Sequence, residues 1–378
     1  MTGIQPQVLI VGAGPTGLTA ALELKRHGIH SRIIDRTPGP RPHSRALNIN
    51  SRSLEILEPS GVTAQLLQHG NRLRRTYLVE NGSTAVALHI EALEHRYPFT
   101  LIVPQTITDQ LLIEAVSRLG IVIEWNTELM DLRFTGDVAT VALATSNRVD
   151  YVTPDYLIAA DGAYSVVRDL AGIDLIGKAQ PIVFALADIR YQMPRDPSSA
   201  TIELMSGGGA VASFPMNSHV VRHIGTSDDV VALMRHRRSG NEVLWTSEFH
   251  VNMRYAKQMR RGNICLAGDA AHISSPVGAR SMNLGIEDAG WLAWLIARGE
   301  AAECYESERL PVARRITNFT RRQTYQFFKR SGPVQHFIRR YLASPLLALP
   351  SIEQKAIRSL AGLNTTDPPW LDTNSDKR

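Results

Sequence analysis

The first apolar run, Val8-Leu9-Ile10-Val11, is continuous rather than alternating, which predicts a strand buried on both faces of a parallel sheet. Over residues 18–25 the period changes: Ala20, Ala21 and Leu24 share one helical face, and Gly28 supplies a stop. Ile33-Ile34 then leads a second strand into Asp35, so the chain opens as a compact βαβ unit. Pro38-Gly39-Pro40 and Pro42 mark an extended loop, and residues 51–57 resume helical spacing. Asn81-Gly82, between two apolar stretches, predicts a hairpin turn. Residues 105–119 read as a helix that buries Leu111, Leu112, Ala115 and Val116. Short strands follow over 135–156, broken by Gly136-Asp137 and Asn147, and a third apolar strand over 156–160 ends at Asp161-Gly162.

Beyond it, residues 184–191, 201–205 and 210–214 read as β-strands around Gly207-Gly208-Gly209. The run from Ile264 returns to the first lobe, and helices fill most of the chain to about Leu363. The expected fold is α/β: a Rossmann-like lobe from discontinuous segments (1–75, 105–176, 261–300) with an inserted mixed β-sheet substrate domain (76–104, 177–260). Helices over 301–363 and a frayed tail over 364–378 complete it, with no internal repeat.

A chain of 378 residues with 44% hydrophobic and 20% charged residues is globular and large enough for two interlocked lobes. The net charge of +5 is modest and implies no nucleic-acid partner. Its excess lies in Arg314-Arg315, Arg321-Arg322, Lys329-Arg330 and Arg339-Arg340, which reads as a solvated helix face. The neighbouring Leu342, Leu346, Leu347 and Leu349 keep open a peripheral membrane contact. No apolar run is long enough to span a bilayer, and a strand begins too early to leave room for a signal peptide. Cys265 and Cys304 form neither a disulfide framework nor a metal spacing, so a reducing cytoplasm is expected.

Gly12-Ala13-Gly14-Pro15-Thr16-Gly17 follows a strand and opens a helix, the context in which such glycines serve a dinucleotide. Gly12 permits the tight turn, Gly14 lets backbone N–H groups approach a pyrophosphate, and Gly17 allows close helix–sheet packing. Asp35 sits where a carboxylate accepts ribose hydroxyls, although a loop-capping role is also open; Arg36 lies near adenine or in solvent. The decisive run is Ile264-Cys265-Leu266-Ala267-Gly268-Asp269-Ala270-Ala271-His272: an apolar strand ending at Gly-Asp, then a Pro276-containing loop and a helix. It narrows the dinucleotide to a flavin.

These motifs, with Asp161-Gly162-Ala163-Tyr164-Ser165-Val166-Val167-Arg168, resemble those of the class A single-component flavoprotein monooxygenases, the para-hydroxybenzoate hydroxylase type, over about residues 8–311. The resemblance implies bound FAD, reduction by NADH or NADPH, and a flavin C4a-hydroperoxide that delivers one oxygen atom of O2 to an organic substrate. It implies that Asp161, Gly162 and Arg168 help bind FAD and the nicotinamide donor, where the residues alone also allow a helix N-cap and a surface arginine. It further implies that Asp269 meets the ribityl chain, and that Pro276, Ser281, Met282 and Asn283 belong to a loop around the isoalloxazine ring. The following helix, through Asp288 and Trp291 to Leu295, would point its N–H groups at the flavin N1–C2=O edge. Arg45 and Gln105 match family positions that touch FAD. Two positions depart from the family: Ala279 and Ser281 stand where glycine is usual.

No catalytic base emerges. His272 is expected to be structural, and His223, His236 and His250 have no ligand-like spacing. Trp291-Leu292-Ala293-Trp294 reads as core packing. The expected activity is hydroxylation or epoxidation of an aromatic or polyketide-like small molecule by a monomer or homodimer. A flavin-dependent reductase or dehydrogenase without oxygen insertion, and a catalytically reduced flavoprotein acting as a binding partner, are the alternatives.

Overall fold

The computed structural model describes residues 7–42, 45–80, 83–205, 209–236, 241–328 and 349–371. The first lobe is built on β1 (Val8–Val11), β2 (Ser31–Ile34), β3 (Ile123–Glu124), β4 (Tyr156–Ala159), β5 (Arg260–Arg261) and β6 (Ile264–Leu266). These lie in the order β5-β6-β4-β1-β2-β3. β1 pairs in parallel with β2 and with β4, and β4 in parallel with β6, so segments far apart in sequence share one register. β1 is buried along its whole length, as its continuous apolar run requires. This registration brings the residues that follow β1, β2, β4 and β6 to one edge: Gly12, Asp35, Asp161 and Gly268-Asp269. Ligands of open parallel sheets bind at the carboxyl ends of the strands.

Helix α1 (Pro15–Arg26) follows the first turn and packs against α3 (Ser281–Arg298), with α2 (Gln105–Arg118) on its other side. A Cβ on Gly268 or Gly285 would approach Thr16 Oγ1 to 2.5 or 2.3 Å, so Thr16 wedges α1 between the late turn and α3. Helix α4 (Ala301–Phe328) lies across α3.

The second sheet has eight strands in the order 272–273, 242–256, 175–190, 220–226, 210–215, 199–204, 75–80, 83–89. On one face Ala185, Ala187, Ile189, Val211 and Val221 pack with Val230 of the helix Ser227–His236. The opposite face turns toward the first lobe. There Phe184, Ile224 and Phe249 meet Val277, and Phe214 and Met216 meet Leu47, Leu73 and Ile102.

The sequence pattern does not single out Val220–Thr226 or Glu242–Ala256 as strands. The long strand is exposed over much of its outer half, yet Phe249, Val251, Met253 and Tyr255 alternate with polar residues, a period-2 signal that could have found its inner half. Residues 81–82, 207–208, 329–330, 339–340, 342 and 346–347 lie outside the described residues; the strands flanking the first of these pair antiparallel, Glu80 opposite Ser83. Leu349 is described and exposed. The expected fraying does not begin at residue 364. Trp370 stacks edge-on against Trp291 at 5.3 Å and lies 5.8 Å from Trp294, over Gly290, where a Cβ would come within 2.9 Å of its ring. Indole burial against a glycine notch anchors this segment where its polar composition suggested none.

Candidate active site

The three glycines of the first turn have different physical reasons. Gly12 takes φ +107°, and a Cβ there would lie 2.3 Å from the Ala160 carbonyl oxygen. A Cβ on Gly17 would lie 1.9 Å from the Gly12 carbonyl oxygen. Gly14 faces open space, with nothing within 4 Å, so no protein neighbour demands a glycine there. Its backbone caps α1, whose first turn has Pro15 and no side-chain cap, leaving N–H groups directed at that space. Asp35 braces the turn: Oδ2 accepts from Ala13 N at 2.8 Å, and Oδ1 accepts from the Thr37 amide at 2.9 Å and hydroxyl at 2.7 Å. The capping geometry is therefore present, with lone pairs left over toward the cleft. That cleft is lined by Gly12, Asp35, the exposed Arg36, Arg41, Asp161 and Tyr164 among others.

Asp161 closes its own turn, accepting from Ser165 Oγ at 2.5 Å and Val167 N at 3.1 Å. Burial raises its carboxyl pKa despite those bonds. Gly162 has φ +86°, so the strand leaves β4 through a left-handed bend. Arg168 is neither on the surface nor in the cleft. It is buried, and its guanidinium donates to the carbonyls of Ala163 at 3.2 Å and Ala270 at 3.3 Å, and to Asp169. It bridges the middle and late motifs through the protein interior.

Asp269, at the end of β6, makes no hydrogen bond to a described residue; burial raises its carboxyl pKa and the nearby His272 opposes that rise. An acid placed at this edge without a protein donor fits a ligand hydroxyl. Behind it, the Asp288 carboxylate of α3 accepts from Gly268 N at 3.1 Å, from His272 Nε2 at 2.6 Å and from Arg309 Nε at 2.8 Å. Arg309 also donates to Glu287 at 2.6 Å. Every member is buried. His272 therefore has a structural post, and Asp288, Glu287 and Arg309 form a charge cluster that sequence spacing did not reveal.

The loop between turn and helix is held from within. Gly278 and Ala279 both have positive φ, +83° and +48°, and Ala279 N donates to Pro276 O at 3.0 Å. Ser281 is the first residue of α3, and its hydroxyl accepts from Ser274 N at 3.3 Å. Met282 packs on the main core. The Asn283 side chain is spent on protein: Oδ1 accepts from Asn50 N at 2.9 Å, and Nδ2 donates to the Asn48 and Ala279 carbonyls. It clamps the loop to the 48–50 segment rather than presenting its amide to a ligand.

Arg45 leans the other way from the glycine turn, its guanidinium 4.7 Å from the Phe249 ring centre on the second sheet. Gln105 begins α2 and points along its own helix toward Asp109, 3.5 Å away. Asp109 is buried, and burial pushes its carboxyl up to about 7. On the second sheet, Arg222 grips Asp188 through two bonds and donates to the Arg45 carbonyl. No local pattern marks these partners. Among the described residues no group of histidine, cysteine and carboxylate side chains is placed to hold a metal ion. Together, the open cradle at Gly14, the acids that follow β2 and β6, and the absence of a hydrogen-bond donor to Asp269 among the described residues fit FAD.

The model of the FAD binding domain matches residues 5–230 and 226–320. The chain is 35% identical to 6-methylpretetramide 4-monooxygenase of Streptomyces rimosus over 84% of its own length and 62% of that protein. It is 33% identical to pentachlorophenol 4-monooxygenase of Sphingobium chlorophenolicum over 83% of its own length and 63% of that protein. It thus spans under two thirds of either relative. The crystal structure of p-nitrophenol 4-monooxygenase from Pseudomonas putida DLL-E4 superposes with a TM-score of 0.85, at 20% identity, over 96% of this chain and 99% of that one, which shows a shared fold. The chain belongs to the FAD binding domain family, within the class A flavoprotein monooxygenases.

Proposed function

We propose that the chain is an FAD-dependent monooxygenase that uses NADH or NADPH and O2 to hydroxylate or epoxidise an aromatic or polyketide-like small molecule. The observation that carries this reading is the meeting of Gly12–Gly17, Asp35 and Gly268-Asp269 at one sheet edge. When bound, FAD would supply the redox chemistry, taking reducing equivalents from NADH or NADPH so that one oxygen atom of O2 goes to the substrate and the other to water.

The chain's own residues bind and orient. Backbone N–H groups at Gly14 and the α1 N-terminus receive the pyrophosphate, and Arg45, whose guanidinium lies over Phe249, serves the flavin edge. Asp35 accepts ribose hydroxyls, and Arg36 flanks the adenine end of the cleft. Asp161 and Gly162 shape the cleft floor, and Arg168 locks that floor to the Ala270 carbonyl. Asp269 accepts a ribityl hydroxyl. Asn283 and Ser281 hold the loop so that the first N–H groups of α3 face the flavin edge, and Gln105 borders the opposite side. Phe184, Ile224, Phe249 and Val277 form a dry wall for the substrate ring. The segments 1–75, 105–176 and 261–300 serve the cofactor, and 76–104 and 177–260 the substrate.

Ala279 adopts the left-handed backbone that glycine would take, so the loop path is kept and the main argument for a reductase without oxygen insertion falls away. As proposed, the protein works in the cytoplasm as a monomer or homodimer, with the basic C-terminal segment a candidate peripheral membrane contact. No helix among the described residues is long and apolar enough to cross a membrane. Turnover of a phenol and polyketide panel under isotopically labelled O2 tests the activity. Label in the product supports it; equal product under argon overturns it.

A further inference from the structure

Arg52, Arg168, Arg222 and Arg309 are buried, and each grips a carboxylate. Arg280 is equally buried, at 4% exposed, yet no carboxylate lies within ion-pair distance of it among the described residues. Its Nη1 donates instead to the Ser359 carbonyl and to Asn364 Oδ1, the latter at 3.0 Å, and its Nε meets no acceptor among the described residues. Burial lowers its pKa to about 10, so the guanidinium stays charged at neutral pH with no counter-ion beside it. A buried charge left in this way costs stability, so its place needs another reason.

That place is the loop expected around the flavin ring. Arg280 stands between Ala279, which holds φ +48°, and Ser281, which opens α3. A left-handed backbone at a residue with a Cβ persists only where the surroundings hold it. Both partners of Arg280 belong to the 349–371 segment, which has anchors of its own. Ile357, Ala361 and Leu363 pack with Ile90 and Leu93, and Trp370 packs on Trp291. The same segment also supports the loop from a second side. A Cβ on Gly362 would lie 2.6 Å from Asn50 Nδ2, the Arg52 amide donates to the Ala361 carbonyl at 3.1 Å, and Asn50 N donates to Asn283 Oδ1 at 2.9 Å. One support therefore grips the loop twice, directly through Arg280 and by way of Asn50 at Asn283. We infer that Arg280 is a positioning residue: it ties the loop to the 349–371 segment and so holds it in the shape that retains FAD. The inference rests on the FAD reading above. Because the segment keeps its apolar anchors without this tie, the tie is separable from the fold.

The test loads wild type, Arg280→Met and Arg280→Lys with FAD and follows flavin release by fluorescence after dilution. The visible spectrum of the bound flavin and thermal denaturation of the flavin-free proteins are recorded beside it. Arg280→Met should release FAD at least about tenfold faster, the effect of losing hydrogen bonds from a charged group. The visible band of its remaining flavin should move toward that of free FAD. The flavin-free variant should melt no lower than the wild type, since a desolvated charge has gone. Arg280→Lys, which keeps a charged donor on a long stem, should stay within about threefold of the wild-type rate. Release from Arg280→Met at the wild-type rate overturns the inference, and so does an Arg280→Lys protein as leaky as Arg280→Met. A melting point of Arg280→Met that falls in step with flavin retention also overturns it, because general loosening would then explain both. If Arg280→Met does not fold, Asn364→Ala replaces it and leaves Arg280 the Ser359 carbonyl alone: release should quicken about threefold, and an unchanged rate overturns the inference. A wild type that takes up no FAD overturns the cofactor reading together with this inference, whereas flavin held equally by every variant overturns this inference alone.

Discussion

His272 Nε2 and Asp288 Oδ2 lie 2.6 Å apart in the interior, and the same Asp288 oxygen receives the Gly268 amide. The turn that carries Asp269 is thereby fastened to the helix that borders the flavin site. Burial alone would raise the Asp288 pKa, but the charges and hydrogen bonds of His272 and Arg309 outweigh it and hold the carboxyl below its ordinary 3.8. Its stabilising contribution is thus full above that ordinary value and is lost only as pH falls through the depressed one. Asp288→Ala leaves Arg309 with Glu287 alone and takes the acceptor from the Gly268 amide and His272, and should cost about 3–5 kcal/mol in urea denaturation. His272→Gln should cost less and leave turnover by retained flavin within a few-fold, since the imidazole is a structural tie and not a base. Loss of turnover with stability intact would contradict this.

Asp109 has the opposite sign. Burial pushes its carboxyl from 3.8 up to about 7, against the weaker pull of Gln105 and Arg41. The folded protein holds this proton more tightly than the unfolded chain, so the contribution is full below the unfolded value and is lost as pH rises through about 7. Asp109→Asn should remove that loss and stabilise the flavin-free protein at pH values above it by roughly 2–4 kcal/mol. Thermal denaturation of both proteins across this window checks it; parallel curves would place the carboxyl back in its usual range.

Ala279 holds φ +48°, a region that costs a residue with a Cβ about 1–2 kcal/mol relative to glycine. Ala279→Gly should therefore raise stability by up to about 1 kcal/mol and leave flavin affinity unchanged or tighter. Ser281, by contrast, is unstrained at the start of α3 and closes the loop through Ser274. Ser281→Gly should keep flavin while losing about 0.5–1.5 kcal/mol for the missing bond. Denaturation midpoints and flavin titration of the two variants separate these effects.

Much of the first lobe was legible because its information is local. β1 and β6 are short apolar runs that end in turn chemistry, and each motif lies within a few residues of its strand. What stayed hidden depends on partners far away in the chain. Asn283 reads as a flavin-loop residue, yet its amide meets Asn48 across 235 positions. Arg168 reads as a ligand for phosphate, but its guanidinium reaches Ala270 across 102 positions. Asp188 lies on a strand that the pattern does show and Arg222 on one that it does not, and only the sheet's register brings them opposite. The glycine turn is legible position by position, Gly12 for the bend, Gly14 for a ligand and Gly17 for packing, and the space around each one separates the ligand glycine from the other two.

That distinction yields the most direct test of the central claim, that FAD sits between the first glycine turn and Asp269. The measurement is titration of flavin-free wild type, Gly14→Ala and Gly17→Ala with FAD, followed by flavin fluorescence alongside thermal denaturation. Gly14→Ala, whose added methyl meets only open space, should unfold like the wild type yet bind FAD at least about tenfold more weakly, because the methyl stands where the pyrophosphate must approach. Gly17→Ala, whose methyl meets the Gly12 carbonyl, should lose stability first. A Gly14→Ala protein that binds FAD as tightly as the wild type, or a wild type that binds none, would contradict the account.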